Sequence, residues 1–167
     1  MISYVAAGTR CQKLGRQLQM HTAQGRQIDN EQFDEISHFE RNQFPVFERQ
    51  YSLGCEVCAG PSPRFNCHGL TFASRRTGIF ESGTLEQILN EDGYEEIQPN
   101  KVKPGDVIVY YADGDFEHSG LVVESPSPSR LNVPMVRSKW AKYKEIIHPG
   151  NQCPYHFGNV RYFRVIR

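Results

Sequence analysis

Two residues of this chain carry the most chemistry: a cysteine placed where a helix should begin and a distant histidine placed where a strand should begin. Cys67 stands in Asn66-Cys67-His68-Gly69-Leu70, and His118 in Glu117-His118-Ser119-Gly120-Leu121. A cysteine attacks a carbonyl as the thiolate, and two devices favour that form: the positive end of a helix and a neighbouring imidazole. Asn66 is a good N-cap, and residues 67–74 suit a helical segment anchored by Leu70 and Phe72. The thiol would then sit in a first turn whose N–H groups have no intrahelical partner, a setting that also suits an oxyanion. His118 would act as the general base.

Those two residues need elements to hold them. Val102-Lys103-Pro104-Gly105-Asp106 is turn-forming and leads into Val107-Ile108-Val109-Tyr110-Tyr111, an apolar and aromatic run of strand character. Asp113-Gly114 suits a reversal between antiparallel strands, and His118 opens the next strand, over 118–124. Further strands are predicted at about 133–140 and 159–166. Thr84 suits the cap of a helix over 85–90 that Gly93 ends, and Cys55 to Pro63 reads as a loop. Leu14, Leu18 and Met20 are loosely helical in spacing over 9–25, and Phe33, Ile36, Phe39 and Phe44 predict helix more strongly over 30–50.

Cys67 with Gly69 and Leu70 behind it, Pro104-Gly105-Asp106 before a hydrophobic strand, and His118-Ser119-Gly120 opening the next occur here in one order. The segment from about Phe65 to Ser138 thereby resembles the NlpC-type and CHAP-type branch of papain-like cysteine peptidases and amidases. The resemblance implies an α+β fold in which a nucleophile helix packs on an antiparallel sheet, here with extra N-terminal helices. The whole of 1–167 would be one domain, with 1–50 a helical extension and 51–167 the catalytic core. It implies a thiol hydrolase that cleaves an amide or peptide bond with Cys67 and His118. The same dyad would serve an acyltransferase or deamidase, and a catalytically inactive papain-like binding module is the reading from a different class.

In the resembling families the group that orients the histidine comes from the following strand, here Met135-Val136-Arg137-Ser138-Lys139-Trp140. Ser138 is the first choice by position, and His148 is the alternative. Tyr51, upstream of the nucleophile, and His68 and Trp140, beside the catalytic candidates, are the expected substrate-binding residues. If the dyad assembles, the Cys67 sulfur should lie within roughly 3–4.5 Å of a His118 ring nitrogen. A Cys67 buried in the core, or a His118 turned away beyond that reach, would sink the enzyme reading and leave the binding module.

The rest of the composition sets bounds. The chain has 167 residues with 38% hydrophobic content, enough to bury one core. Its formal net charge is zero, which gives no argument for nucleic acid or an anionic membrane. The expected partner is a peptide or protein substrate, and no cofactor is implied. The first residues make a poor signal peptide, so a cytoplasmic protein is expected, with leaderless export as an effector the alternative. Five cysteines, an odd number, agree with a reducing compartment. Cys55-Glu56-Val57-Cys58 has zinc-knuckle spacing, and Cys67, His68 or Cys153 would have to complete the site. Adjacent Cys67 and His68 are poorly placed to share one tetrahedral ion, so no metal is expected. Arg75-Arg76 would complement the dipole at the end of the cysteine helix.

Overall fold

Val107-Ile108-Val109-Tyr110-Tyr111 is apolar at every position because the strand it forms, Val107–Ala112, is covered on both faces. Val107, Val109 and Tyr111 enter one apolar cluster with Leu89 and Phe163. Ile108 and Tyr110 enter another with Val136 and Cys153, as the two-residue alternation of a strand requires. The computed structural model describes residues 15–50, 54–155 and 158–166. Within them the strands are β1 (Glu56–Ala59), β2 (Tyr94–Ile97), β3 (Val107–Ala112), β4 (Asp115–Ser127), β5 (Val133–Lys139), β6 (Glu145–Pro149) and β7 (Asn159–Val165). They form one sheet in the order β1-β6-β5-β4-β3-β7-β2, and every pairing is antiparallel. The fold is α+β.

The helices of the described residues are α1 (His38–Asn42), α2 (Phe44–Arg49), α3 (Cys67–Phe72) and α4 (Ser82–Glu91). The α4 helix buries Thr84, Leu85, Ile88 and Leu89, one apolar stripe at helical spacing. Asp113 and Gly114 make the reversal between β3 and β4 with φ of 51° and 90°, the doubly positive backbone of a tight hairpin turn. Among the described residues no helix is long and apolar enough to cross a membrane.

The N-terminal region departs from expectation. Residues 15–32 are extended rather than helical, with Arg16 bridged to Gln32 and His21 to Gln27. Asn30 holds them: its side chain accepts from the Leu18 N–H at 3.0 Å and donates to the Leu18 and Ile28 carbonyls at 2.9 Å. Leu18, Met20 and Ile28 then join Ala73, Ile79, Leu85 and Ile88 in one cluster. The step of two between Leu18 and Met20 is thus strand-like alternation. A bridge between Glu31 and Gly78 ties the segment to the region after α3, and its buried residues Met20, Thr22, Ile28 and Asn30 pack on the core. The helix expected over 30–50 is confined to α1, capped by Ser37 and Glu40 in a capping box, and α2, which has proline in its first turn. Strands β1, β2 and β6 were not legible as strands; β1 and β2 are four-residue edges, and β2 carries two adjacent glutamates.

The cysteine helix begins as expected. Asn66 Oδ1 accepts from the Gly69 N–H at 2.9 Å and from the Ile79 N–H at 3.1 Å, and Nδ2 donates to the Ile79 carbonyl at 2.5 Å. One side chain therefore caps α3 and pins it to the returning chain. Gly69 allows that close approach, since a Cβ there would run into the Thr77 carbonyl. Gly69→Ala should lower stability by about 1–3 kcal/mol or more, read as a drop in the urea midpoint. An unchanged midpoint would contradict the close packing of α3 on residue 77.

Candidate active site

Four polar groups tie α3 to β4, and their chemistry fixes where each proton lies. Thr71 Oγ1 donates to the Cys67 carbonyl at 3.0 Å, which uses its only hydrogen. Thr71 must therefore accept from Ser119 Oγ at 3.0 Å, and Ser119 in turn accepts from His68 Nδ1 at 2.9 Å. The result is a directed chain from His68 through Ser119 and Thr71 to the backbone of Cys67. His68 is buried, and burial pushes its pKa down to about 4, so a neutral ring with its proton on Nδ1 is the form this chain holds. His68 thus supports the helix and does not line an open cleft, contrary to its expected role in substrate binding.

Ser119 also brings Cys67 to the sheet. The β4–β5 ladder begins at Gly120 opposite Ser138, and the residue before it, Ser119, directs its backbone N–H at the Cys67 sulfur. The N–H groups of His68 and Cys67 itself point the same way. Such donors favour a thiolate. Burial outweighs them: Cys67 is only 6% exposed, and its pKa is pushed up to about 12. The lowered pKa expected from the helix start is not what this arrangement produces, because desolvation of the charged form is the larger effect.

His118 leaves β4 on the opposite side from Ser119. It pairs with Tyr110 across the β3 ladder, and its ring is stacked on Tyr155 at 4.4 Å between centroids and 11° between planes. The residue is fully buried, and neither ring nitrogen has a hydrogen-bond partner among the described residues. Burial, with the nearby charges of His68 and His148 as smaller causes, drives its pKa well below the ordinary histidine value. No hydrogen bond joins it to Cys67, so the direct contact expected of the dyad is not formed in this arrangement.

The two candidates for the third catalytic position engage each other. Ser138 faces the same side as His118, since Gly120 lies opposite Ser138 and two residues along from His118. Its hydroxyl bonds His148 Nε2 at 2.8 Å. His148 Nδ1 donates to the Pro149 carbonyl at 2.9 Å, so in the neutral ring Nε2 accepts and Ser138 donates. Neither residue bonds His118. Trp140, expected to bind substrate, is fully buried, with its ring edge-on to His148 at 5.7 Å. Phe47 of α2 packs on Trp140 at 6.2 Å, on Tyr143 at 5.7 Å and on Tyr155 at 6.4 Å, which makes an aromatic cover over this side of the sheet. Tyr51 lies outside the described residues.

The metal alternative does not assemble: among the described residues no three His, Cys, Asp or Glu side chains are grouped to hold an ion. Arg75 has a role beyond the helix dipole. It forms a bidentate pair with Glu145, Nε to Oε2 at 2.9 Å and Nη2 to Oε1 at 2.6 Å, and Arg137 bonds the same carboxylate. Burial alone would raise the Glu145 pKa, yet the two guanidinium groups bring it below the usual value. Thr71, Ser119 and Lys139 were missed as site residues. The only available signal was spacing, Thr71 standing four residues after Cys67 and Ser119 next to His118. Comparisons with protein-family models, with curated proteins and with solved structures find no match for this chain.

The buried histidines make stability depend on pH. Burial lowers both His68 and His148 from 6.5 to about 4 in the fold. Between those values the unfolded chain binds more protons than the folded one, so their contribution is full above pH 6.5 and is lost as pH falls toward 4. Each is worth on the order of 3 kcal/mol across that window. The urea midpoint should fall between pH 6.5 and 5, before the carboxylates are protonated. A midpoint constant over that range would contradict the burial of these rings in their neutral form.

Proposed function

We propose that this chain is a papain-like thiol hydrolase that cleaves an amide bond of a peptide or protein, with Cys67 as nucleophile and His118 as base. The observation that carries this reading is His118: a fully buried imidazole in the sheet, with neither nitrogen bonded among the described residues. Buried polar atoms are almost always satisfied, and each exception calls for an explanation, a catalytic role being one of them. A ring kept only for packing would be better served by an apolar side chain. Its neighbour in sequence, Ser119, presents the N–H that meets the Cys67 sulfur, so the two reactive groups lie on either side of one stretch of β4.

In the reaction the Cys67 thiol gives its proton to His118 and the sulfur bonds the carbonyl carbon. The C–N bond then breaks, and the amine leaves with the proton from His118. Water hydrolyses the remaining thioester, with His118 again taking the proton. The N–H groups of Cys67 and His68 that converge near the sulfur are the donors available to the oxyanion. For this reaction the His118 ring has to leave its stack on Tyr155 and come within reach of the thiol, so a local rearrangement of β4 is part of the proposal.

The burial of Cys67 and the absence of a bond to His118 favour the second reading, a papain-like binding module without activity. Iodoacetamide labelling at pH 7 with peptide mapping separates the two. For the hydrolase, His118→Ala should slow labelling of Cys67 about tenfold or more and reduce hydrolysis of a peptide library by about 10²–10⁴-fold, with the circular dichroism spectrum unchanged. Labelling of Cys67 that is indifferent to His118, with no hydrolysis by the intact chain, would leave the binding module.

A further inference from the structure

Lys139 is the last residue of β5 and is fully buried. Its ammonium donates to the Tyr143 carbonyl at 2.7 Å and lies 4.9 Å from the centre of the Phe65 ring. Among the described residues no carboxylate pairs with it. Glu145 is its partner across the β5–β6 ladder, yet that carboxylate is taken by Arg75 and Arg137. A buried ammonium without a carboxylate in direct contact is costly, so its place in the fold needs a reason. Closing the turn after β5 is not sufficient. That turn has its own bonds, from Trp140 N–H to the Lys144 carbonyl at 3.1 Å and from Tyr143 N–H to the Trp140 carbonyl at 2.9 Å.

Three placements direct the ammonium toward Cys67. Phe65, over which it lies, is two residues before Cys67. In the β4–β5 register, one step beyond Gly120 opposite Ser138 sets Lys139 beside Ser119, whose N–H points at the sulfur. By strand alternation Lys139 also leaves β5 on the side opposite Ser138, the side on which α3 packs. The nearby carboxylate of Glu145 is the larger charge acting on Lys139, and a thiolate at Cys67 would act on it in the same direction. The other charged groups nearby, Arg75, Arg137 and Glu145, are engaged with one another.

We propose that Lys139 is the counter-cation of the Cys67 thiolate. It acts as a positioning residue: when the thiol gives its proton to His118, the ammonium keeps its own proton and stabilises the sulfur anion. This rests on the reading of Cys67 as the nucleophile, but its tests need no turnover. Lys139→Met keeps the length of the side chain and removes the charge. Loss of an opposite charge at this range should raise the thiol pKa by about one unit or more, so Cys67 alkylation at pH 7 should slow about tenfold and its pH–rate profile should move to higher pH.

A second measurement leaves Lys139 in place. Cys67→Asp puts a permanent anion at the first turn of α3, and NMR titration of labelled lysine follows the Lys139 ammonium. Its midpoint should rise by about one unit or more relative to Cys67→Ala. An unmoved alkylation profile in a folded Lys139→Met protein would overturn the proposal. So would equal Lys139 midpoints in the Asp and Ala variants, which decide the matter even if Lys139→Met does not fold. Failure to hydrolyse any peptide with both shifts present would count against the hydrolase alone.

Discussion

The site depends on a single strand register, that of β4 at His118 and Ser119. Adjacent residues of a strand face opposite sides, so no rotation of the sheet lets both side chains serve one partner. Ser119 faces α3 and is bonded into its first turns through His68 and Thr71. His118 faces the aromatic layer of Tyr110 and Tyr155. A shift of one residue would exchange them, leaving α3 without its hydroxyl anchor. Gly120 guards the register from the next position, since a Cβ there would collide with the Val136 side chain and press on the Arg137 carbonyl.

The energetic character of the site follows from burial. Cys67, His68, His118, Lys139 and His148 are all buried, and each is driven toward its neutral form. His68 and His148 are compensated by hydroxyl and carbonyl partners; His118 is not. A thiol and an imidazole both held neutral, on opposite sides of one strand, form a poor dyad in this arrangement.

What could be read from sequence was local. Asn66 as a cap, Asp113-Gly114 as a reversal and the β3 run as a strand each depend on residues within a few positions of one another, and each is present. The same reasoning took Leu18 and Met20 for a helix, because a step of two cannot be told from irregular helical spacing without Asn30, twelve residues away, which holds the segment extended. The pairing of Ser138 with His148 was equally hidden. Both were singled out as alternatives for one role, and only the β5–β6 register makes them partners. Lys139 gave no signal at all, since a lysine in an alternating strand reads as solvent-facing until α3 and its Phe65 approach are seen to cover it.

The most direct measurement is a crystal structure of the protein with a peptidyl chloromethyl ketone joined to Cys67. In that adduct Tyr155 should be displaced from the His118 ring, and a ring nitrogen should come within about 3–4 Å of the sulfur or the adduct oxygen. An adduct structure in which His118 stays beneath Tyr155 with both nitrogens unbonded would contradict the role of His118 as the base.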